Sequence, residues 1–268
     1  MNDAVKNVSF DINQGEIIGI IGHTGSGKST LVQHLNGLLK PTEGTVLFEN
    51  EDIWKNAKEI RKIRSKIGLV FQYPEYQLFE ETVFADIAFG PKNMGLSGEE
   101  LENCVTETAS LIGIKEEYLQ KSPFDLSGGE KRRVAIAGVM AMRPKVIVFD
   151  EPTAGLDPRG REEVMKIISD YRTATNATVI IISHSMEDMA ALADRIIVMN
   201  KGELVLFDTP EKVFASAEAL REIGLDVPIV TRVFAGLRAM GVAVSPNVFT
   251  VSQAVEALVQ LKEGAADA

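Results

Sequence analysis

Residues 16–30 read EIIGIIGHTGSGKST, and the succession of residue types there decides the fold. Ile17, Ile18, Ile20 and Ile21, interrupted only by Gly19, have the pattern of a short strand buried on both faces. Gly22-His23-Thr24-Gly25-Ser26-Gly27-Lys28-Ser29 then matches the G-x-x-x-x-G-K-[ST] phosphate-loop pattern at every fixed position. Leu31, Leu35 and Leu38 follow at helical spacing, and Gly37 and Pro41 mark the expected end of that helix. Strand, glycine loop and helix come in the order that phosphate chemistry requires.

A triphosphate needs many donors packed around it. Glycines let successive backbone N–H groups turn inward on the phosphate oxygens, and the new helix adds its partly positive N-terminus. On this reading Gly22 to Thr30 bind the nucleotide, Lys28 reaches the β- and γ-phosphates, and the Ser29 hydroxyl holds Mg²⁺.

The chain has 268 residues, enough for one large α/β domain with a small appendage and too few for two full nucleotide-binding domains. Its 28 Lys+Arg against 38 Asp+Glu leave a formal net charge of -10, which argues against a general nucleic-acid binder. The single Cys104 excludes an internal disulfide and fits a reducing compartment. No apolar run approaches the roughly 18 residues that cross a bilayer, and MNDAVKNVSF has no apolar signal core. The expectation is a soluble, cytoplasmic protein able to dock on a membrane protein.

Outward from the loop, Val5, Val8, Phe10 and Ile12 suggest an outer strand over residues 5–12, and Gly44 to Phe48 another. The charged run from Lys55 to Lys66 reads as a solvated helix face. Ile67 to Phe71 form a buried-looking strand ending at Gln72, placed for a ligand at the carboxyl edge of a sheet, where it can meet the attacking water or Mg²⁺. From Tyr73 to Phe124 helical patterns dominate. Tyr73, Tyr76, Leu78 and Phe79 there form either the core of a helical subdomain or a groove for a partner helix.

Leu126-Ser127-Gly128-Gly129-Glu130 opens a further helix, a second anion-binding helix start in one chain. One nucleotide does not need two, so Ser127, Gly128 and Gly129 are expected to face the γ-phosphate of a nucleotide held by another subunit. Val146 to Phe149 deliver Asp150 and Glu151 at the end of a buried strand, and two adjacent carboxylates there are costly to bury without a cation. Asp150 is placed to hold Mg²⁺ and Glu151 to orient or deprotonate the attacking water. A turn through Asp157, a helix near Glu162 to Arg172, and the strand Thr178 to Ile182 follow, the last ending at Ser183-His184, where an imidazole can sense the γ-phosphate. Ile196 to Met199 and Leu204 to Phe207 read as a closing hairpin.

With these residues in hand, the chain from about Val5 to Phe214 resembles the ATP-binding subunits of ABC transporters. Gly22 to Ser29 looks like Walker A, Gln72 the Q-loop, Leu126 to Glu130 the LSGG signature and Val146 to Asp150 Walker B. Glu151 looks like the catalytic glutamate, Asp157 the D-loop and His184 the switch histidine. The stretches FQYPEYQLFEETVFADIAFGPKNMG (71–95) and VAIAGVMAMRPKVIVFDEPTAGLDP (134–158) are similar to the ATPases of energy-coupling factor transporters, most like the second of their two related ATPases.

The resemblance implies a P-loop NTPase (RecA-like) ABC ATPase core over residues 1–209, with a helical subdomain inserted at about 73–140 and a small α-rich extension over 210–268. It implies ATP and Mg²⁺ as cofactors and a heterodimer with a second homologous ATPase. It further implies a transmembrane coupling protein docking near Tyr73 to Phe79, a membrane subunit that captures a vitamin or metal ion, and a place on the cytoplasmic face of a bacterial membrane. In the extension, Val230, Val233, Phe234, Leu237 and Met240 make one apolar stripe, and Val255, Leu258 and Val259 start another. Core packing and dimer contact are both open to them. Family members usually carry a strand before the segment matching Val5, with an aromatic that stacks on adenine. No such strand precedes Val5 in the sequence given, so the expectation is either a truncated sequence or an adenine held by another contact, with Phe10 open to that role or to core packing. A conventional ABC importer subunit uses the same chemistry, whereas a non-transport ATPase of the superfamily usually has a coiled-coil insertion or tandem domains that this sequence lacks.

Overall fold

A computed structural model describes residues 3–266. In chain order they form β1 (Ile17–Ile21), α1 (Lys28–Leu35), β2 (Leu47–Phe48), β3 (Glu51–Asp52), α2 (Ile60–Lys66), β4 (Ile67–Val70), α3 (Val83–Asn93), α4 (Gly98–Leu111), α5 (Gly128–Met140) and β5 (Val146–Asp150). There follow α6 (Pro158–Thr175), β6 (Thr178–Ile182), α7 (Met186–Leu192), β7 (Arg195–Asn200), β8 (Glu203–Asp208), α8 (Pro210–Ala215), α9 (Ala217–Glu222), α10 (Ile229–Ala239) and α11 (Val251–Ala266). The chain divides into two compact units, one holding the residues up to Asp11, Ile17–Lys28 and Ser183 onward, the other Ile12–Glu16 and Ser29–Ile182.

In the second unit β4, β5 and β6 run parallel, with Val70 opposite Phe149 and Asp150 opposite Ile182. Ile147, Val148, Phe149, Val179, Ile181 and Ile182 are wholly buried, as runs of branched residues in a parallel sheet must be. Each such side chain stabilises the fold by about 1.5–3 kcal/mol. The shared register brings Gln72 and the Asp150-Glu151 pair to the same end of adjacent strands. Helix α6 buries Val164, Ile167, Ile168 and Tyr171, an i, i+3, i+4, i+7 stripe. It starts at Asp157, whose carboxylate accepts the Gly160 N–H at 2.7 Å, and stops at Asn176, a left-handed residue at φ 53°.

Two expectations for this unit are revised. Helix α1 ends at Leu35 rather than reaching Leu38, because Gly37 turns left-handed at φ 72° and leaves Leu38 38% exposed. Of Gly44 to Phe48, only Leu47 and Phe48 form a strand, paired with Glu51 and Asp52 across a turn whose central residues, Glu49 and Asn50, both have positive φ.

In the first unit β1 pairs in parallel with β7, Ile18 opposite Arg195, and β7 pairs antiparallel with β8 around the Lys201-Gly202 turn. The outer strand expected over residues 5–12 does not form. Asn7 takes φ 49°, which breaks the extended run that a ladder needs. The segment is instead tied to the hairpin by the Lys6 N–H to Gly202 oxygen bond (2.7 Å) and by the Arg195 guanidinium on the Asp11 oxygen (2.9 Å). Phe10 meets the Phe207 ring edge-on at 6.0 Å, so its ring is used in packing.

At the C-terminal end, Phe234, Val248 and Ala254 make a small core edged by Val230, Val244 and Ala257. The expected stripes are thereby divided. Val233 and Met240 are exposed, as are Val255, Leu258 and Val259, while alanines of α11 face the core.

Candidate nucleotide site

The phosphate loop, Gly22 to Lys28, lies in the first unit. Lys28 is buried, and its ammonium donates to the carbonyl oxygens of Gly22 (2.7 Å) and His23 (3.1 Å), which draws the positive charge inside the curve of the loop. Gly25 and Gly27 hold φ 81° and 99°, values that L side chains rarely adopt. A Cβ at Gly27 would press into the Ala4 carbonyl oxygen, whereas one at Gly25 would meet nothing within 4 Å. The loop is closed on the hairpin turn by the Gly202 N–H to Ser26 oxygen bond (3.0 Å). The His23 ring bridges the Thr24 oxygen at 2.8 Å and the Asn200 side chain at 2.9 Å. The Ser26 hydroxyl is buried without a hydrogen-bond partner. His184, exposed, follows directly after Ser183.

Ser29 and Thr30 continue α1 in the second unit, which also holds Gln72, Asp150, Glu151 and Asp157. Ser29, Gln72 and Asp150 offer a hydroxyl, an amide oxygen and a carboxylate, the hard oxygen donors that Mg²⁺ accepts, so the set fits that ion. Among the described residues no cluster of three or more His, Cys, Asp or Glu presents another metal cage. Both strand exits at this edge pass through a left-handed, non-glycine residue. Tyr73 follows Gln72 at φ 55°, and Glu151 itself sits at φ 53°, with its N–H on the Ile182 oxygen at 3.0 Å. Such residues cost about 1–3 kcal/mol each and persist only when their surroundings fix them.

Part of that fixing comes from a residue the sequence does not single out. Arg132, 3% exposed, sends two N–H groups to the Glu75 carboxylate (2.9 and 2.7 Å) and two to the oxygens of Pro152 (3.2 Å) and Ala154 (2.8 Å). Burial pushes the Glu75 carboxyl up, but the hydrogen bonds and charge of Arg132 outweigh it and hold the group below the usual carboxylate range. Within Lys131-Arg132-Arg133, nothing in the sequence marks the middle residue as the buried one.

Helix α5 begins with a reciprocal cap: the Ser127 backbone N–H donates to the Glu130 carboxylate at 2.9 Å, and the Glu130 N–H returns to the Ser127 hydroxyl at 3.4 Å. Ser127, Gly128 and Gly129 are exposed. Of the aromatic cluster after Gln72, only Leu78 is buried. Tyr76 is 84% exposed, and Phe79, 59% exposed, stacks edge-on against Phe89 at 4.9 Å. These rings are surface rather than core. Phe79 and Phe89 line a groove of about 860 Å³ with Met94, Val139 and Met142, rimmed by Arg61, Lys62 and Arg64. In the same groove Asp86 accepts the N–H groups of Phe79 and Glu80 through one oxygen, while burial pushes its carboxyl up.

A parallel α/β sheet whose first turn wraps a lysine in its own carbonyls is the architecture of the P-loop nucleotide hydrolases. The model of the ABC transporter family matches residues 5–154. The energy-coupling factor transporter ATP-binding protein EcfA2 of Caldanaerobacter subterraneus is 52% identical over 261 residues, 97% of this chain and 91% of that protein. EcfA2 of Bacillus subtilis is 47% identical over 97% and 96%. Among solved structures, cbiO1 of Clostridium perfringens, part of the ABC transporter complex cbiONQ, superposes with a TM-score of 0.75 at 40% identity, covering 88% of this chain and 92% of that one. The dimeric post-hydrolysis structure of the ATP-binding cassette MJ0796 with ADP and Pi gives 0.69 at 32% identity, over 77% and 90%. The chain belongs to the ABC transporter family, among the ATP-binding subunits of energy-coupling factor transporters, which hydrolyse ATP to drive transport. No helix among the described residues is long and apolar enough to cross a membrane.

Proposed function

We propose that this chain is the second ATPase of a heterodimeric motor that drives an energy-coupling factor importer for a vitamin, another micronutrient or a metal ion. The observation that carries the proposal is the pairing of a complete phosphate loop around Lys28 with a helix start, Ser127 to Gly129, that is exposed and capped by its own Glu130. The loop binds the β- and γ-phosphates of ATP, and the exposed helix start closes on the γ-phosphate of a nucleotide held by the partner ATPase. Mg²⁺, held by Ser29, Asp150 and Gln72, neutralises phosphate charge. Glu151 orients and deprotonates the attacking water, His184 contacts the γ-phosphate, and Asp157 faces the partner's site. The groove beside Phe79 receives a helix of a membrane-embedded coupling protein, and the chain works on the cytoplasmic face of a bacterial membrane. A separate membrane subunit captures the solute. Relatives that name such a transporter and a solved ABC cassette dimer support the assembly.

The test compares ATP turnover of the isolated chain, shown monomeric at high dilution, with that of the complex purified from membranes. Turnover confined to the complex is the expected result, and equal turnover by the monomer overturns the proposal.

A further inference from the structure

We infer that Arg132 is a positioning residue which sets the Gln72 and Glu151 loops relative to one another, a deduction that rests on the functional reading above. Each loop leaves its strand through a left-handed residue, Tyr73 or Glu151, and a backbone so placed has lower-energy alternatives nearby. Arg132 restrains the segment just beyond each. Its guanidinium grips Glu75, two residues past Tyr73, with a two-pronged ion pair, and caps the carbonyls of Pro152 and Ala154, one and three residues past Glu151. It also lies 5.8 Å from the centre of the Tyr73 ring, and that ring would lie 3.5 Å from a Cβ at Gly155. The guanidinium is rooted in the second turn of α5, whose exposed start is the surface offered to the partner ATPase. One planar group therefore spans three segments: the exit of β4, the exit of β5 and the helix that faces the partner. A lysine cannot do this, because a single ammonium lacks the rigid fork that serves a carboxylate on one side and two carbonyls on the other.

The two halves of the clamp have separable consequences. Glu75→Gln leaves the buried guanidinium poorly neutralised yet still bonded to Pro152 and Ala154, so it is expected to lower the melting temperature more than turnover. Arg132→Lys keeps the charge pair and releases the carbonyls, so it is expected to lower kcat about tenfold or more while the KM for ATP stays within about threefold.

Both variants are made in the purified complex with its partner ATPase and measured for kcat, KM and melting temperature. The inference holds if the larger kcat loss falls on Arg132→Lys and the larger melting loss on Glu75→Gln. Losses of turnover that track melting losses across the pair, an effect confined to KM, or wild-type kcat in a folded Arg132→Lys complex each overturn it. Should Arg132→Lys fail to fold, Glu75→Asp, which keeps the charge but pulls the guanidinium by one methylene, decides. A fall in its kcat at constant KM supports the inference, and unchanged kcat sinks it. A wild-type complex without ATP turnover would defeat the functional reading and this inference together, whereas an active wild type with indifferent variants defeats the inference alone.

Discussion

Replacing Gly27 by alanine tests the phosphate loop at its tightest point, because two separate penalties meet there. The first is conformational: φ 99° is a region an L residue enters at about 1–2 kcal/mol. The second is steric. The new Cβ would press into the Ala4 carbonyl oxygen and stand 3.4 Å from the Gly202 Cα, both backbone atoms with no rotamer to change. The segment bearing Ala4 is pinned by the Lys6 to Gly202 bond, so overpacking adds about 1–3 kcal/mol. Gly25 supplies the control. At φ 81° with nothing within 4 Å of its Cβ position, Gly25→Ala carries the conformational penalty alone. Calorimetric melting without nucleotide should therefore place Gly27→Ala below Gly25→Ala by roughly 2 °C or more, since 1 kcal/mol shifts a chain of this size by about 2–4 °C. Both variants should weaken ATP binding, because either distorts the curve of donors. If the two melt together, or if Gly27→Ala melts with the wild type, the steric part of the argument is wrong.

Two further substitutions probe the second unit. Glu151→Gln should leave the affinity for ATP within a few fold and lower hydrolysis by about 10²- to 10⁴-fold, trapping the ATP-bound dimer, which size-exclusion chromatography with ATP would detect. Wild-type turnover would remove Glu151 from the role of base. Asp86→Asn addresses the groove. Burial raises the folded-state pKa of Asp86 above its ordinary 3.8, so its contribution to stability is complete below that value and is lost as pH rises through the folded pKa. The amide escapes this loss, and the difference in melting temperature, variant minus wild type, should grow from acid to neutral pH. A difference independent of pH would show that the carboxyl does not titrate across that range.

The local chemistry was legible because it is written in consecutive residues. A phosphate loop must be contiguous for its N–H groups to converge, and a buried parallel strand must be a run of branched apolar residues, so β1, β5 and β6 and the residues at their ends could be read directly. Positions that depend on one backbone angle were less accessible. The left-handed Asn7 cancelled an alternating pattern that otherwise reads as a strand, and the turn at Glu49-Asn50 produced a hairpin of two-residue strands too short for any periodicity to reveal. Exposure could not be read at all from residue type: Tyr76 and Phe79 have the composition of a core and lie on the surface.

What the sequence alone determined is a set of local patterns: the phosphate-loop motif at Gly22 to Ser29, a carboxylate pair after a buried strand, and a second glycine-rich helix start at Ser127 to Gly129. The tertiary structure decided which of three adjacent basic residues is buried, and therefore that Arg132 joins Glu75, 57 positions away, to the carbonyls of Pro152 and Ala154. The reason is physical. Contiguous motifs encode their geometry in local backbone preferences, whereas a buried ion pair depends on how distant helices and loops come together, and a run of three cations carries no mark of which one turns inward.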